Sequence, residues 1–322
     1  MNYETLYVIG NGFDLHHGVN SSYRCYMEWL KENHKDDYQN LIDFYGNKAD
    51  EYEWWNEFEN NLGYFDIREK VENLAYRNQP NDKDLEDMKI DIMKGAWAAQ
   101  AEIGGIMSIL KDRFHDWIDS LRPALSANKI VINPQNAYFI NFNYSLTLEN
   151  IYNVPSAQIP HIHGCLNDDE YIIGHGRTYA EVKKDAEPYT PPSDSSKDYP
   201  SEYGVDEIDD EITDNTKTEA VKQVMEAAKP TDEIIKKNRS IFEQLSEVNK
   251  VCIYGLSFSS VYEPYLNHII SSVAPNAELE ASYYSLSDKE CIEQFAKKHN
   301  LSINLVRLED LQVVKQLRLP IN

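Results

Sequence analysis

The chain has 322 residues, 42% hydrophobic and 26% charged, enough to bury a full core in one large domain or two ordinary ones. Its 31 basic and 54 acidic residues leave a formal charge of −23. Affinity for duplex nucleic acid rests on Lys and Arg over a broad face, so that partner is disfavoured, whereas a small anion held by backbone N–H groups in a pocket suits any net charge. No apolar run approaches the roughly 18 residues of a membrane span, and the start of the chain lacks the basic-then-apolar layout of a signal peptide. The expected place is the cytoplasm, with no membrane partner. Four scattered cysteines, Cys25, Cys165, Cys252 and Cys291, form no CxxC and are expected as free thiols.

Residues 6–12, LYVIGNG, read as a buried strand running into a tight turn. From about Ser22 to Leu125 the spacing is helical, in SSYRCYMEWLKENH, EYEWWNEFENNLGYFD and AWAAQAEIGGIMSILKDRFHDWIDSL. The tryptophans Trp29, Trp54, Trp55, Trp97 and Trp117 are expected in its core. Strand-like segments return at 137–145, 158–164, 171–176, 249–257, 277–285 and 301–308, and helical patterns separate the last three. Strand and helix alternating over short connections predict a parallel sheet covered on both faces. Residues 177–248 interrupt the rhythm with a Pro-, Ser- and acid-rich stretch that reads as an insertion or a partly mobile lid. The expected organisation is a Rossmann-like α/β core, mainly parallel, formed by 1–20 and 126–322. A helical insertion subdomain would span 21–125, and the acidic insertion would lie within the core.

Four segments carry candidate chemistry. Gly10, Asn11 and Gly12 follow a strand and precede a helix, the place of a phosphate loop; a tight turn needing glycine explains them equally well. Asp14, beyond Phe13, is either an acceptor for ribose or amide groups or the cap of the next helix. Asn141 and Asn143 share one face at a strand end, for a ligand or for loop backbone, and Ser145 is expected to cap the helix that follows. His161 and His163 would lie on one side of a strand. With Cys165, His175, His16 and His17 they suggest a metal site, but no acid or cysteine stands at a usual short spacing, and a general base is the other reading. Gly255 and Ser257 end a further strand, where serines at 257, 259 and 260 would donate to phosphate or ribose, or cap a helix.

Taken in order, IGNGFDLHHG, WWNEFENNL, NFNYSLTLENIY, HIHG, IGHG and YGLSFSSVYEPY resemble the AbiH family of bacterial phage abortive-infection proteins. Such proteins usually carry Asp where this chain has Tyr262, a place Glu263 would have to fill. More distantly, the core is similar to the sirtuin-like NAD-binding fold. Asn143 and His163-Gly164 match its asparagine and its histidine before glycine, while Phe142 and Ser145 stand where it has Thr and Asp. The resemblance implies that Asn143 and His163 are the catalytic pair. The cofactor-type contacts would be Gly10, Asn11, Gly12, Phe13, Asp14, Asn141, Gly255 and Ser257, with NAD as substrate or ligand, no resident cofactor and no metal. The sirtuin zinc ribbon has no counterpart among four scattered cysteines. Three functions stay open: an antiphage effector hydrolysing NAD or a related nucleotide at its N-glycosidic bond, a non-catalytic nucleotide sensor, and a metal-dependent nuclease or phosphodiesterase. Partners beyond the nucleotide are expected to be a protein or a second copy of the chain, since such effectors must be silent before infection.

Overall fold

Thr5–Ile9, TLYVI, offers no polar face, as suits a strand buried on both sides. In the computed structural model, which describes residues 3–76, 85–121, 128–166, 168, 171–187 and 205–313, it is β1. The others are β2 (Ala137–Asn141), β3 (Lys250–Tyr254), β4 (Glu278–Ser282) and β5 (Ile303–Val306). The sheet order is β2-β1-β3-β4-β5, and every pair is parallel, Ile9 standing beside Asn141 on one side and Tyr254 on the other. Alternation divides the side chains. Leu6, Val8, Ile140, Val251, Ile253 and Ala281 pack against Tyr265, Leu266, Ile269, Ile292 and Phe295, from helices Glu263–Ser272 and Leu286–His299. Tyr7, Ile9, Phe139, Cys252 and Tyr254 pack against Phe13, Leu148 and Leu308 on the other face. This is the Rossmann-like α/β fold expected from the alternating pattern.

The chain divides into two compact units. The first, residues 1–33, 114–172 and 230–322, carries the sheet. The second, residues 34–113 and 173–229, is helical among its described residues. Trp55 and Phe58 stack at 4.8 Å in its interior, and Lys229 reaches Glu59 at 2.6 Å, both buried. A pair taken out of water needs such short geometry to repay its desolvation. Arg177 donates to the Gly63 carbonyl and to Asp185. A Cβ on Gly63 would meet the His175 ring at 2.7 Å, and one on Gly174 would run into the Ala227 carbonyl. Gly63, the residue after WWNEFENNL, therefore meets His175 of IGHG inside this unit, as packing.

Several sequence expectations need correction. Residues 158–164 and 171–176 form no strands. Each contributes one isolated bridge, Asn141 with His161 and His175 with Ala228. Pro160 brings no N–H to a ladder, and Gly164, at φ +88°, turns the chain away. Trp97 is exposed rather than core, while Trp55 and Trp117 are buried. The acidic stretch contains a helix, Val205–Glu226, which has neither Gly nor Pro to stop it; the Pro- and Ser-rich 188–204 lies outside the described residues. All four cysteines are free. Among the described residues no helix is long and apolar enough to cross a membrane.

Two glycine substitutions test the packing. Gly255 has φ +68°, and a Cβ there would run into the Phe13 nitrogen, so Gly255→Ala is expected to lower unfolding stability by at least about 2 kcal/mol. Gly105 sits in helix Leu85–Ser120 with nothing near its would-be Cβ, so Gly105→Ala is expected to raise stability by up to about 1 kcal/mol. Urea unfolding of both variants checks the contrast.

Candidate functional site

The strand order reverses between β1 and β3: the chain leaves β1 for β2 on one side, and β3 for β4 on the other. In open parallel sheets the crevice at the carboxyl ends of such a strand pair is where ligands bind. Here two glycine turns meet at that point. The Gly10 N–H donates to the Tyr254 carbonyl at 3.0 Å, Gly12 N–H to the Gly255 carbonyl at 2.8 Å, and Phe13 N–H to the Gly10 carbonyl at 2.9 Å. A Cβ on Gly10 would lie 2.5 Å from Leu256 Cα, and one on Gly12 2.9 Å from Gly255 Cα. The glycines are thus required first by backbone-to-backbone contact, and the N–H groups of Gly10, Gly12 and Phe13 are spent within the protein.

Around this contact the structure gathers a polar cluster. Asn143 lies beyond the end of β2. Its N–H donates to Asn141 Oδ1 at 3.0 Å, and its side-chain Nδ2 donates to the Gly10 carbonyl at 3.0 Å. Asp14, in helix Asn11–His16 whose cap is Gly10, is not a cap itself. It is 1% exposed, and its Oδ2 accepts the Ser145 hydroxyl at 2.5 Å. Ser145 also meets Thr147 Oγ1 at 2.8 Å. The serine therefore serves Asp14 rather than capping helix Thr147–Tyr152, which has no side-chain cap. Asp14 Oδ1 is buried without a well-directed hydrogen bond among the described residues. Burial pushes the Asp14 carboxyl up to about 6, against the opposing pull of Ser145, Thr147, Asn143 and the His161 charge.

The histidines do not converge. Because residues 162–163 form a turn, the alternation expected of a strand fails. His161 approaches the Asn143 carbonyl and Glu149, while buried His163 has its Nε2 3.3 Å from Tyr265 Oη. The His163 ring stands among aromatics, 5.3 Å from Phe142, 5.7 Å from Tyr265, 6.3 Å from Tyr262 and 6.5 Å from Tyr144. The residues on either side of Asn143 thus hold the histidine, while the Asn143 amide reaches Gly10. His17 Nδ1–H donates to the Phe13 carbonyl at 2.7 Å, so its Nε2 accepts from Tyr152 Oη at 2.7 Å. Burial pushes its pKa down to about 4. His16 bonds to the Asn128 carbonyl, and His175 to the Val224 carbonyl in the helical unit. Among the described residues no three His, Cys, Asp or Glu side chains are placed to hold a metal.

The remaining candidates are peripheral. Asn11 Oδ1 accepts the Ser21 hydroxyl at 2.5 Å, Phe13 is fully buried in the core, and Ser257 is exposed. Glu263 does not take the place of an acid at Tyr262: its Oε1 is held by Lys298 at 2.5 Å and His299 at 3.0 Å, while Tyr262 packs edge-on against Phe142. Sequence reasoning missed Thr147, Glu149 and Tyr265. The first two lie in SLTLENIY, where polar residues alternate with leucine at a helix start, the only available signal. Tyr265 carries none.

Asp14 and His17 titrate in opposite senses. The fold raises the Asp14 pKa, so between pH 4 and 6 the folded chain keeps a proton that the unfolded chain has released. That contribution is full below pH 4 and lost as pH rises through 6. For His17 the folded pKa is lowered, and stability is lost as pH falls from 6.5 through 4. Relative to Asp14→Asn, the wild type is expected to lose about 2 kcal/mol of unfolding free energy between pH 4 and pH 7. Urea titrations of both proteins across that range measure the difference; a flat difference would contradict it.

No curated protein and no solved structure matches the chain. A family model described as bacteriophage abortive infection AbiH matches residues 6–283. That span takes in β1 through β4 with both glycine turns and the Asp14–Asn143 cluster, and so the chain belongs to the AbiH family of abortive-infection proteins.

Proposed function

We propose that this protein is an antiphage effector that cleaves the N-glycosidic bond of NAD or a closely related nucleotide. The observation that carries the reading is the buried cluster at the strand-order reversal. There the Asn143 amide and the buried carboxyl of Asp14, whose Oδ1 has no well-directed hydrogen bond among the described residues, meet beside the turn after β1. The likeness of Asn143 and His163-Gly164 to the catalytic pair of sirtuin-like NAD-cleaving effectors supports it.

Departure of nicotinamide passes through an oxocarbenium-like state. The C1′–N bond breaks and nicotinamide leaves with the electron pair. A water oxygen bonds to C1′, and its proton passes to His163 as general base. Asn143 orients the water or a ribose hydroxyl, and Asp14 accepts from the ribose. Gly10, Gly12 and Gly255 let the pyrophosphate approach closely. Because the N–H groups of Gly10, Gly12 and Phe13 are already bonded, polar contact to it falls to Asn11 and Ser257 at the rim. Asn141 holds Asn143. The substrate places the protein in the cytoplasm, and a protein partner or self-assembly keeps it silent until infection. A metal-dependent nuclease has less to stand on, because the histidine rings are engaged separately.

Incubation of the purified chain with NAD, with nicotinamide followed by chromatography, tests the reading. Turnover should fall at least about 100-fold in Asn143→Ala and in His163→Ala and should ignore EDTA. Turnover unchanged in either variant, or abolished by EDTA, would refute it. Thermal stabilisation by NAD without cleavage would favour the sensor, and neither binding nor cleavage would remove the nucleotide altogether.

A further inference from the structure

The backbone of Asn143 has left the sheet. The last hydrogen bond from this segment to β1 is Phe142 N–H to the Ile9 carbonyl at 2.9 Å. One residue later both main-chain groups are held by side chains: the N–H by Asn141 Oδ1, and the carbonyl by His161 Nδ1 at 2.9 Å. A carbonyl oxygen can only accept, so Nδ1 carries a proton. The other ring nitrogen lies 3.0 Å from Glu149 Oε1. Both side chains are largely buried, and Glu149 Oε2 has no hydrogen-bond partner among the described residues. Glu149 sits in helix Thr147–Tyr152, so the carboxylate that turns the ring comes from a rigid element. The arrangement is that of a buried histidine fixed on one nitrogen by a carboxylate so that the other nitrogen is aimed. What it is aimed at here is the main chain of Asn143.

We propose that His161, oriented by Glu149, is the positioning residue for Asn143, fixing the main chain from which the Asn143 amide reaches the site. The catalytic part of this inference rests on the NAD-cleaving reading above; the structural part does not. A misplacement of about 1 Å in a catalytic group costs up to about 100-fold in rate, which is the scale on which a positioning residue acts.

Two substitutions separate the two nitrogens of the ring. His161→Asn keeps a donor near the position of Nδ1, and His161→Gln keeps one near Nε2. With NAD as substrate, His161→Gln is expected to lower kcat about tenfold or more with little change in KM, and His161→Asn to recover most of it. In an Asn143→Ala background His161→Gln should cost nothing further, because residues acting through one another are non-additive. Equal losses in the two variants, or full additivity, would overturn the proposal. A readout independent of turnover uses the isotope-labelled protein without nucleotide. Long-range nitrogen–proton NMR should show a protonated His161 Nδ1, and the Asn143 side-chain amide signal should shift in His161→Gln but hold in His161→Asn. An unprotonated Nδ1, or an amide signal unmoved in both variants, overturns the proposal even if the chain cleaves no NAD. Absent turnover with the expected NMR pattern refutes the NAD reading alone.

Discussion

The turns that follow β1 and β3 touch through their backbones, and the site is arranged around that contact. Between Gly12 and Gly255 the approach leaves no room for a Cβ on either chain, and Gly255 takes a left-handed φ that other residues adopt only at a cost. The hydrogen bonds across it join the ends of two strands already paired in register from Thr5 and Lys250. Because that junction is fixed, the Gly10 carbonyl has a fixed place, and the Asn143 amide finds it from the neighbouring strand. The junction thus ties the ends of β1 and β3 backbone to backbone, and the Asn143 side chain adds the end of β2.

A second layer is electrostatic. Asp14 follows the junction by two residues and is buried, its Oδ1 without a well-directed hydrogen bond among the described residues. Its charge is disfavoured by burial and tolerated because Ser145, Thr147, Asn143 and His161 surround it. Such a group is kept only if the surrounding structure holds it in place. At the end of the same short helix burial keeps His17 neutral, while the Phe13 carbonyl and Tyr152 hold its ring. It anchors the end of the helix. A net charge of −23 leaves no broad basic surface, so on the proposed reading anion contact falls to a few groups at the rim.

The sheet was legible because its strands are short apolar runs closed by glycine or polar turns, and parallel order followed from the helices between them. The two false strands, around His161 and His175, contain the same residue types; what excludes the first is a missing N–H at Pro160 and a left-handed Gly164, which act through partners that a sequence does not show, while the second makes only a single bridge to Ala228. Gly10 and Asn143 stood out as candidates because they follow strand ends, and Asp14 because it follows the glycine turn. Glu149 and Tyr265 were not, because their importance comes from where helices Thr147–Tyr152 and Glu263–Ser272 deliver them. Bonding partners decide the rest: His17, His163 and His175 look alike in the sequence and all three are buried, but the rings of His17 and His175 are bonded to carbonyl groups, whereas His163 faces Tyr265.

Amide hydrogen exchange with and without NAD tests most directly whether the nucleotide occupies this junction. Slowed exchange confined to residues 10–14, 141–145, 161–165 and 255–257 is the predicted result. Protection elsewhere with none at these segments, or no change at all, would contradict a nucleotide site at the meeting of the β1 and β3 turns.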